Sequence, residues 1–206
     1  MKRGGLCFVG YQKYVKANNK YLPGYNPSVE SNYILYEDAN NLYAYSMSEN
    51  LPYKNLKFED NIHLHEILKT PDDYYKGYIV EVDLHFPIEL HDKFREVPPA
   101  PESLTPNIDW FSSFQKDVGI KNGIIKNDNY SGSNKLIPHV YNHYNYVIHY
   151  RNLKFIVDLG VKVLKVHKVM SFFQRPWLKT YIDFNTEKRK QAKNEFEKDF
   201  FKLMNN

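Results

Sequence analysis

Asp38 sits where a side chain can do chemistry. It follows the apolar run Tyr33-Ile34-Leu35-Tyr36 and Glu37, and it precedes Asn40-Asn41 and the segment Leu42-Tyr43-Ala44-Tyr45-Ser46-Met47. The apolar run predicts a buried strand. The asparagine pair predicts a turn or helix cap, with a short helix starting after it. A carboxylate at a strand exit, under a turn with free backbone N–H groups, suits a divalent metal ion and a phosphate chain. The same pattern also describes an ordinary strand-to-helix turn capped by Asp38. Near the other end, Lys198 and Lys202 lie four residues apart on one helical face, and Arg189 and Lys193 repeat the spacing. Read by itself, such a run is a solvated face.

The elements that must hold these residues are legible as patterns. Residues 1–30 are rich in Gly, Asn, Lys and Pro and read as an irregular arm, in which Lys13, Lys16 and Lys20 interleave with Tyr14 and Tyr21. That mixture fits either a surface tracking a nucleic-acid strand or a solvated arm. Residues 31–86 form a second part, closed by a predicted half-buried strand over 77–86. Its Tyr78, Val80, Val82 and Leu84 share one face, and Glu81 and Asp83 lie on the other. This strand is expected to run antiparallel to the one before Asp38, with the polar stretch 54–76 as a surface connection. His63 and His65, two apart, do not share a helical face and read as surface histidines.

Residues 87–143 hold six of the 11 prolines and read as a turn-rich insertion with a strand near 135–137. His139 and His143, four apart, could share a metal on a helix, but no carboxylate or cysteine stands at ligand spacing. Residues 144–206 predict a strand at 146–150 and a helix capped by Gly160. A strand over 161–169 follows, and then one long helical segment opened by Pro176.

Composition bounds the rest. The 206 residues suffice for one substantial core or two small ones. A net charge of +4 permits nucleic-acid binding without arguing for it. The 18 Tyr and 13 Phe make rings a large part of any core. A single cysteine, Cys7, excludes an internal disulfide framework and fits a reducing compartment. No long apolar run spans a membrane, and the first residues lack a secretory h-region, so an intracellular chain is expected.

Asp38-Ala39-Asn40-Asn41-Leu42-Tyr43 resembles motif A of the family B DNA polymerases. The wording is that of the protein-primed enzymes of viruses, linear plasmids and large self-synthesising DNA transposons. Asn41 stands for the motif's Ser, and Ala44 for its Pro. Gly4-Gly5 resembles the Tyr-x-Gly-Gly template-contacting motif, with Lys2 in the Tyr position. Lys202-Leu203-Met204-Asn205-Asn206 resembles the start of motif B, Lys-x-x-x-Asn-Ser-x-Tyr-Gly. Tyr146-Val147-Ile148-His149-Tyr150, with Leu153 and Gly160, is also similar to the transposon polymerases.

The resemblance implies an α+β fold with an antiparallel palm sheet and a helical fingers segment. It implies template-directed transfer of deoxynucleotides at two Mg²⁺ ions roughly 3.5–4 Å apart. Asp38 would be a metal carboxylate, and the backbone at Asn41 and Leu42 would hold the triphosphate. Tyr43 would sit under the sugar and reject a 2′-hydroxyl. Lys202, Lys198, Arg189, Lys193 and Asn206 would contact the incoming nucleotide, and Gly4 and Gly5 the template. The partners implied are a DNA template-primer, deoxynucleoside triphosphates and a terminal protein primer docked at the insertion. The family's second metal carboxylate lies in a Tyr-x-Asp-Thr-Asp motif C, which these residues lack. The expectation is therefore a polymerase portion inactive by itself. The alternative is a non-catalytic nucleic-acid-binding module or relic.

Overall fold

A computed structural model of the chain describes residues 6, 8, 10, 14–39, 41–127, 129–130 and 132–205. Its elements, in order, are α1 (Leu42–Met47), β1 (Leu51–Glu59), α2 (Leu64–Lys69), β2 (Lys76–His85), β3 (Glu102–Leu104), α3 (Ser113–Lys121), β4 (Ile125–Lys126), β5 (Asn129–Tyr130), β6 (Lys135–Ile137), β7 (His143–His149), α4 (Tyr150–Asp158), β8 (Lys162–Arg175), α5 (Lys179–Lys190) and α6 (Glu195–Met204). The main sheet has the order β1-β8-β2-β7, and β3-β6 and β4-β5 form two-stranded sheets. The pairs β1–β8, β3–β6 and β4–β5 are antiparallel. The class is α+β, as the sequence predicts.

The chain divides into two compact units. One holds Val82–Ile148 and Asn152–Lys165, the other Tyr14–Glu81, His149–Arg151 and Val166–Asn206. In the first, Val82, Leu84, Phe86, Phe94, Tyr146, Leu153, Ile156 and Val161 are buried. Gly160 ends α4 at φ 107, a left-handed conformation that glycine adopts without strain. Its α-carbon faces Leu90, so a side chain there would meet the leucine methyls.

In the second unit the core gathers Ala44, Ile67, Tyr78, Val80, Tyr150, Val169, Phe172 and Ile182. A polar knot lies inside it. The Tyr150 hydroxyl is 3.0 Å from the carbonyls of both Pro71 and Asp72. The Gln174 amide donates to the Tyr150 oxygen at 2.9 Å and to the Tyr74 carbonyl at 2.7 Å. The turn leading into β2 is thereby tied to β8 and to the start of α4. Gly77 fits because it lacks a side chain: an added Cβ would stand 2.6 Å from the Phe172 ring.

Several expectations need correction. Residues 33–36 are not a buried strand: they have no regular structure, and all four side chains are exposed, Tyr36 at 91%. Side-chain pattern alone does not make a strand when no partner strand pairs with its backbone. For the same reason β2 does not run beside a strand preceding Asp38; its neighbours are β8 and β7. The polar stretch 54–76 is not a surface connection but carries most of β1 and all of α2. β1 is a mostly exposed strand held by its ladder to β8, with register shifts between Pro52 and Lys54 and between Lys54 and Lys57, the second spanning Asn55 at φ 56. A second positive-φ asparagine, Asn145 at φ 52, lies in β7, and its N–H donates to the Asp83 carboxylate at 2.9 Å. Within the proline-rich insertion α3 forms behind a reciprocal cap, in which Ser112 accepts from the Gln115 N–H and the Gln115 side chain accepts from the Ser112 N–H. The long C-terminal helix is two helices, because the Asn194 side chain caps a new start by accepting from the Glu197 N–H at 2.9 Å.

Tyr150→Phe keeps the ring and deletes the hydroxyl, which removes the bonds to the Pro71 and Asp72 carbonyls and the acceptor that the buried Gln174 amide meets. Urea unfolding should show a loss of about 1–3 kcal/mol. An unchanged midpoint would mean that the knot contributes nothing to stability.

Candidate functional site

Asp38 lies in the irregular segment before α1 and is exposed, as is Glu37 beside it. Asn41 takes a left-handed conformation, φ 54 and ψ 42, and its carbonyl starts the helix by accepting from the Tyr45 N–H at 3.0 Å. α1 then has one buried side chain, Ala44. Leu42 and Tyr43 point outward, Tyr43 at 76% exposure. α1 packs on α5, and α5 packs on α6. The Tyr181 hydroxyl donates to the Met204 carbonyl at 3.2 Å, and the Asn205 amide to the Thr186 hydroxyl at 3.1 Å, fixing the end of α6 against α5. The expected acid, the expected tyrosine and the expected lysines thus belong to one unit.

The four cations are arranged differently from the expectation of paired helical spacings. Lys198 and Lys202 do share a face of α6, and both are exposed. Arg189 sits in the last turn of α5, whereas Lys193 lies in the connection before α6, so these two do not line one helix. Lys198 pairs with Glu195 at 2.6 Å. Gly4, Gly5 and Asn206 lie outside the described residues, as does Asn40.

A centre for two Mg²⁺ ions needs shared carboxylates. Among the described residues Asp38 belongs to no cluster of metal-ligating side chains. One exposed carboxylate does not by itself supply the shared ligands that such a pair of ions needs.

The residues that the structure does gather lie elsewhere. A cavity of about 540 Å³ is lined by Phe58, Glu59, Asp60, Ile62, Val166 and His167, with Lys168 and Val169. Glu59 accepts from Lys76 at 2.8 Å and from Ser171 at 2.7 Å. These bonds, Lys76 first, lower its pKa from 4.5 to about 2. The sequence signals nothing of this, because β1 was not legible as a strand. In the other unit, Glu102, His139 and His143 each bring one ligand-competent atom within 4.8 Å of the others. The expectation that no carboxylate reaches these histidines is overturned by sheet pairing: β3 sets Glu102 opposite Ile137, two residues before His139. Neither histidine is in a helix; His139 follows β6 and His143 opens β7.

Comparison with protein-family models, with curated proteins and with solved structures gives no match.

Arg151, at the start of α4, joins Glu49 at 2.8 Å and Asp72 at 3.2 Å, securing the turn after α1. Next to it, burial and then the Arg151 charge pull the pKa of His149 from 6.5 down to about 4. Between pH 6.5 and 4 the unfolded chain takes up a proton here that the folded chain refuses. Stability should therefore fall with decreasing pH across that window, by up to about 1.4 kcal/mol per unit. Thermal melts of wild type and His149→Asn at closely spaced pH values check this, and the variant should lose most of the slope. Glu59 acts at lower pH, since its depressed pKa gives stability that is complete above pH 4.5 and lost as pH falls toward 2. Glu59→Gln should flatten the acid limb of the same melts.

Proposed function

We propose that this chain is a palm-and-fingers portion of a protein-primed-type family B DNA polymerase, and that its second unit binds a deoxynucleoside triphosphate and template-primer DNA. The observation that carries the reading is the packing of both α1 and α6 on α5. It joins Asp38-Ala39-Asn40-Asn41-Leu42-Tyr43 to Lys198 and Lys202 in one unit, in the combination that the resemblance requires. An exposed Tyr43 ring offers a flat surface to a sugar, and it would exclude a 2′-hydroxyl by contact. Lys202 and Lys198 offer cations to a triphosphate. Arg189 and Lys193 add charge around the α5–α6 connection. With one carboxylate and no motif C, these residues bind and orient a nucleotide without completing its transfer.

A second reading, a nucleic-acid-binding module without catalysis, is favoured by the N-terminal arm. Tyr14 and Tyr21 are 81% and 75% exposed, and the Lys20 ammonium lies 5.2 Å from the Tyr21 ring centre. Exposed rings beside cations suit stacking on single-stranded bases.

One set of measurements separates the two. With primed DNA, Mg²⁺ and all four deoxynucleotides, the purified chain should give no extension product. It should bind the primed DNA with an affinity that falls as salt rises. It should also bind a deoxynucleoside triphosphate, and Lys202→Ala should weaken this by about tenfold or more. DNA binding without nucleotide binding would leave the module reading. Binding of neither would end both.

A further inference from the structure

The first unit carries a cluster that nucleotide transfer does not use. Glu102 starts β3, His139 follows β6, and His143 starts β7. His143 is fully buried, between the rings of Phe86 and Tyr146 at 5.1 and 5.0 Å. Its Nε2 lies 2.8 Å from the Ala100 carbonyl oxygen. A carbonyl only accepts, so that nitrogen carries the proton and Nδ1 keeps its lone pair. Nδ1 has no hydrogen-bond partner, and neither does the buried Nδ1 of His139. His139 uses its Nε2 instead, 3.2 Å from the Glu102 carboxylate.

Two buried imidazole lone pairs without donors are costly features of a core. Ordinary packing would have supplied each with a hydroxyl or an N–H. The support around them is also unusual. Ala100, between two prolines, holds φ 59, a conformation rare for a residue with a side chain. Its carbonyl is held by His143, and the next carbonyl, of Pro101, accepts from the Tyr146 hydroxyl at 3.1 Å. The backbone is thus bent so that a carbonyl fixes the tautomer of His143. That is how histidine ligands are oriented, with one ring nitrogen bonded to a carbonyl and the other presented to an ion.

We propose that Glu102, His139 and His143 form a binding site for a divalent transition-metal ion of the zinc class. Two imidazoles and one carboxylate match the donor preference of zinc, whereas Mg²⁺ prefers oxygen donors alone. The ligand-competent atoms already lie within 4.8 Å of one another, a spread of the size that side-chain rotation closes. The two histidine rings stack at 4.4 Å with 13° between their planes. An ion on the Nδ1 of His143 lies near that ring's plane, so metal entry turns the less buried His139 ring out of this stack while His143 stays on its carbonyl. Three protein ligands leave a fourth position for water. The ion would tie β3, the connection after β6 and β7 together, cross-linking the insertion to the main sheet strand it precedes. This inference is independent of the polymerase reading.

The test uses the full chain, purified without metal-affinity steps and stripped with a chelator. Titration with Zn²⁺ should saturate at one ion per chain and raise the melting temperature, and an excess of Mg²⁺ should not compete. Co²⁺ substitution should give the visible absorption of a four-coordinate site. His143 variants risk unfolding, so the deciding variants are Glu102→Gln and His139→Gln, at positions that are not fully buried. Each should weaken Zn²⁺ binding at least tenfold, while a control at the surface, His65→Gln, should leave it unchanged. No stoichiometric binding by the folded wild-type chain, or binding that survives both deciding variants, would overturn the proposal.

Discussion

The second unit depends on two buried side chains, Tyr150 and Gln174, that hold the carbonyls of one turn. The turn at 71–75 brings the chain into β2, and its own side chains are exposed while its C=O groups accept bonds from the interior. Tyr150 and Gln174, from separate segments of the sequence, meet those groups and each other. The three segments are thereby held at fixed separations. Phe172 then packs over Gly77, and the T-shaped contact of Tyr78 with Tyr150, centroids 6.1 Å apart, fills the adjoining space. β8 leaves this knot through Arg175 into Pro176, so the start of α5 inherits its position from it. α5 in turn supports α1 and α6, which carry the candidate nucleotide-binding side chains. The site is distant from the knot in sequence, yet its placement rests on it.

Legibility followed the source of each element's stability. β2, β7, α4 and β6 take their form from side-chain pattern, and the pattern was readable: alternating Tyr78, Val80, Val82 and Leu84 are all buried, and Gly160 does end α4. β1 was not readable, because Lys54, Asn55 and Lys57 give no apolar alternation; the strand exists through hydrogen bonds to β8. The segment at 33–36 is the converse case, apolar enough for a strand but with no ladder to join. The break between α5 and α6 turns on one capping asparagine inside an otherwise continuous helical pattern. The α3 cap at Ser112 and Gln115 is a local helix-start signal that the reading of 87–143 as a turn-rich insertion does not include.

The candidate site divides the same way. Asp38, Tyr43, Lys198 and Lys202 stand out through motif wording, which names residues without describing their surroundings. The histidines at 139 and 143 were visible as a pair, but their carboxylate was not. Glu102 reaches them only because β3 and β6 pair in one register, and a three-residue strand between prolines has too little pattern to reveal that. Clusters assembled by short sheets are the hardest to foresee, since each member looks unremarkable in its own stretch of sequence.

Two of the asparagines with positive φ stand on the two outer strands of the main sheet, Asn55 in β1 and Asn145 in β7. An outer strand offers unpaired backbone groups to any other chain that can align with it. A left-handed residue in its middle breaks the regular spacing of those groups, and β1 adds Pro52 and two lysines. For a protein so rich in tyrosine and phenylalanine, whose exposed rings favour self-association, interrupted edges are a safeguard. They leave an approaching chain no unbroken row of backbone groups to pair with.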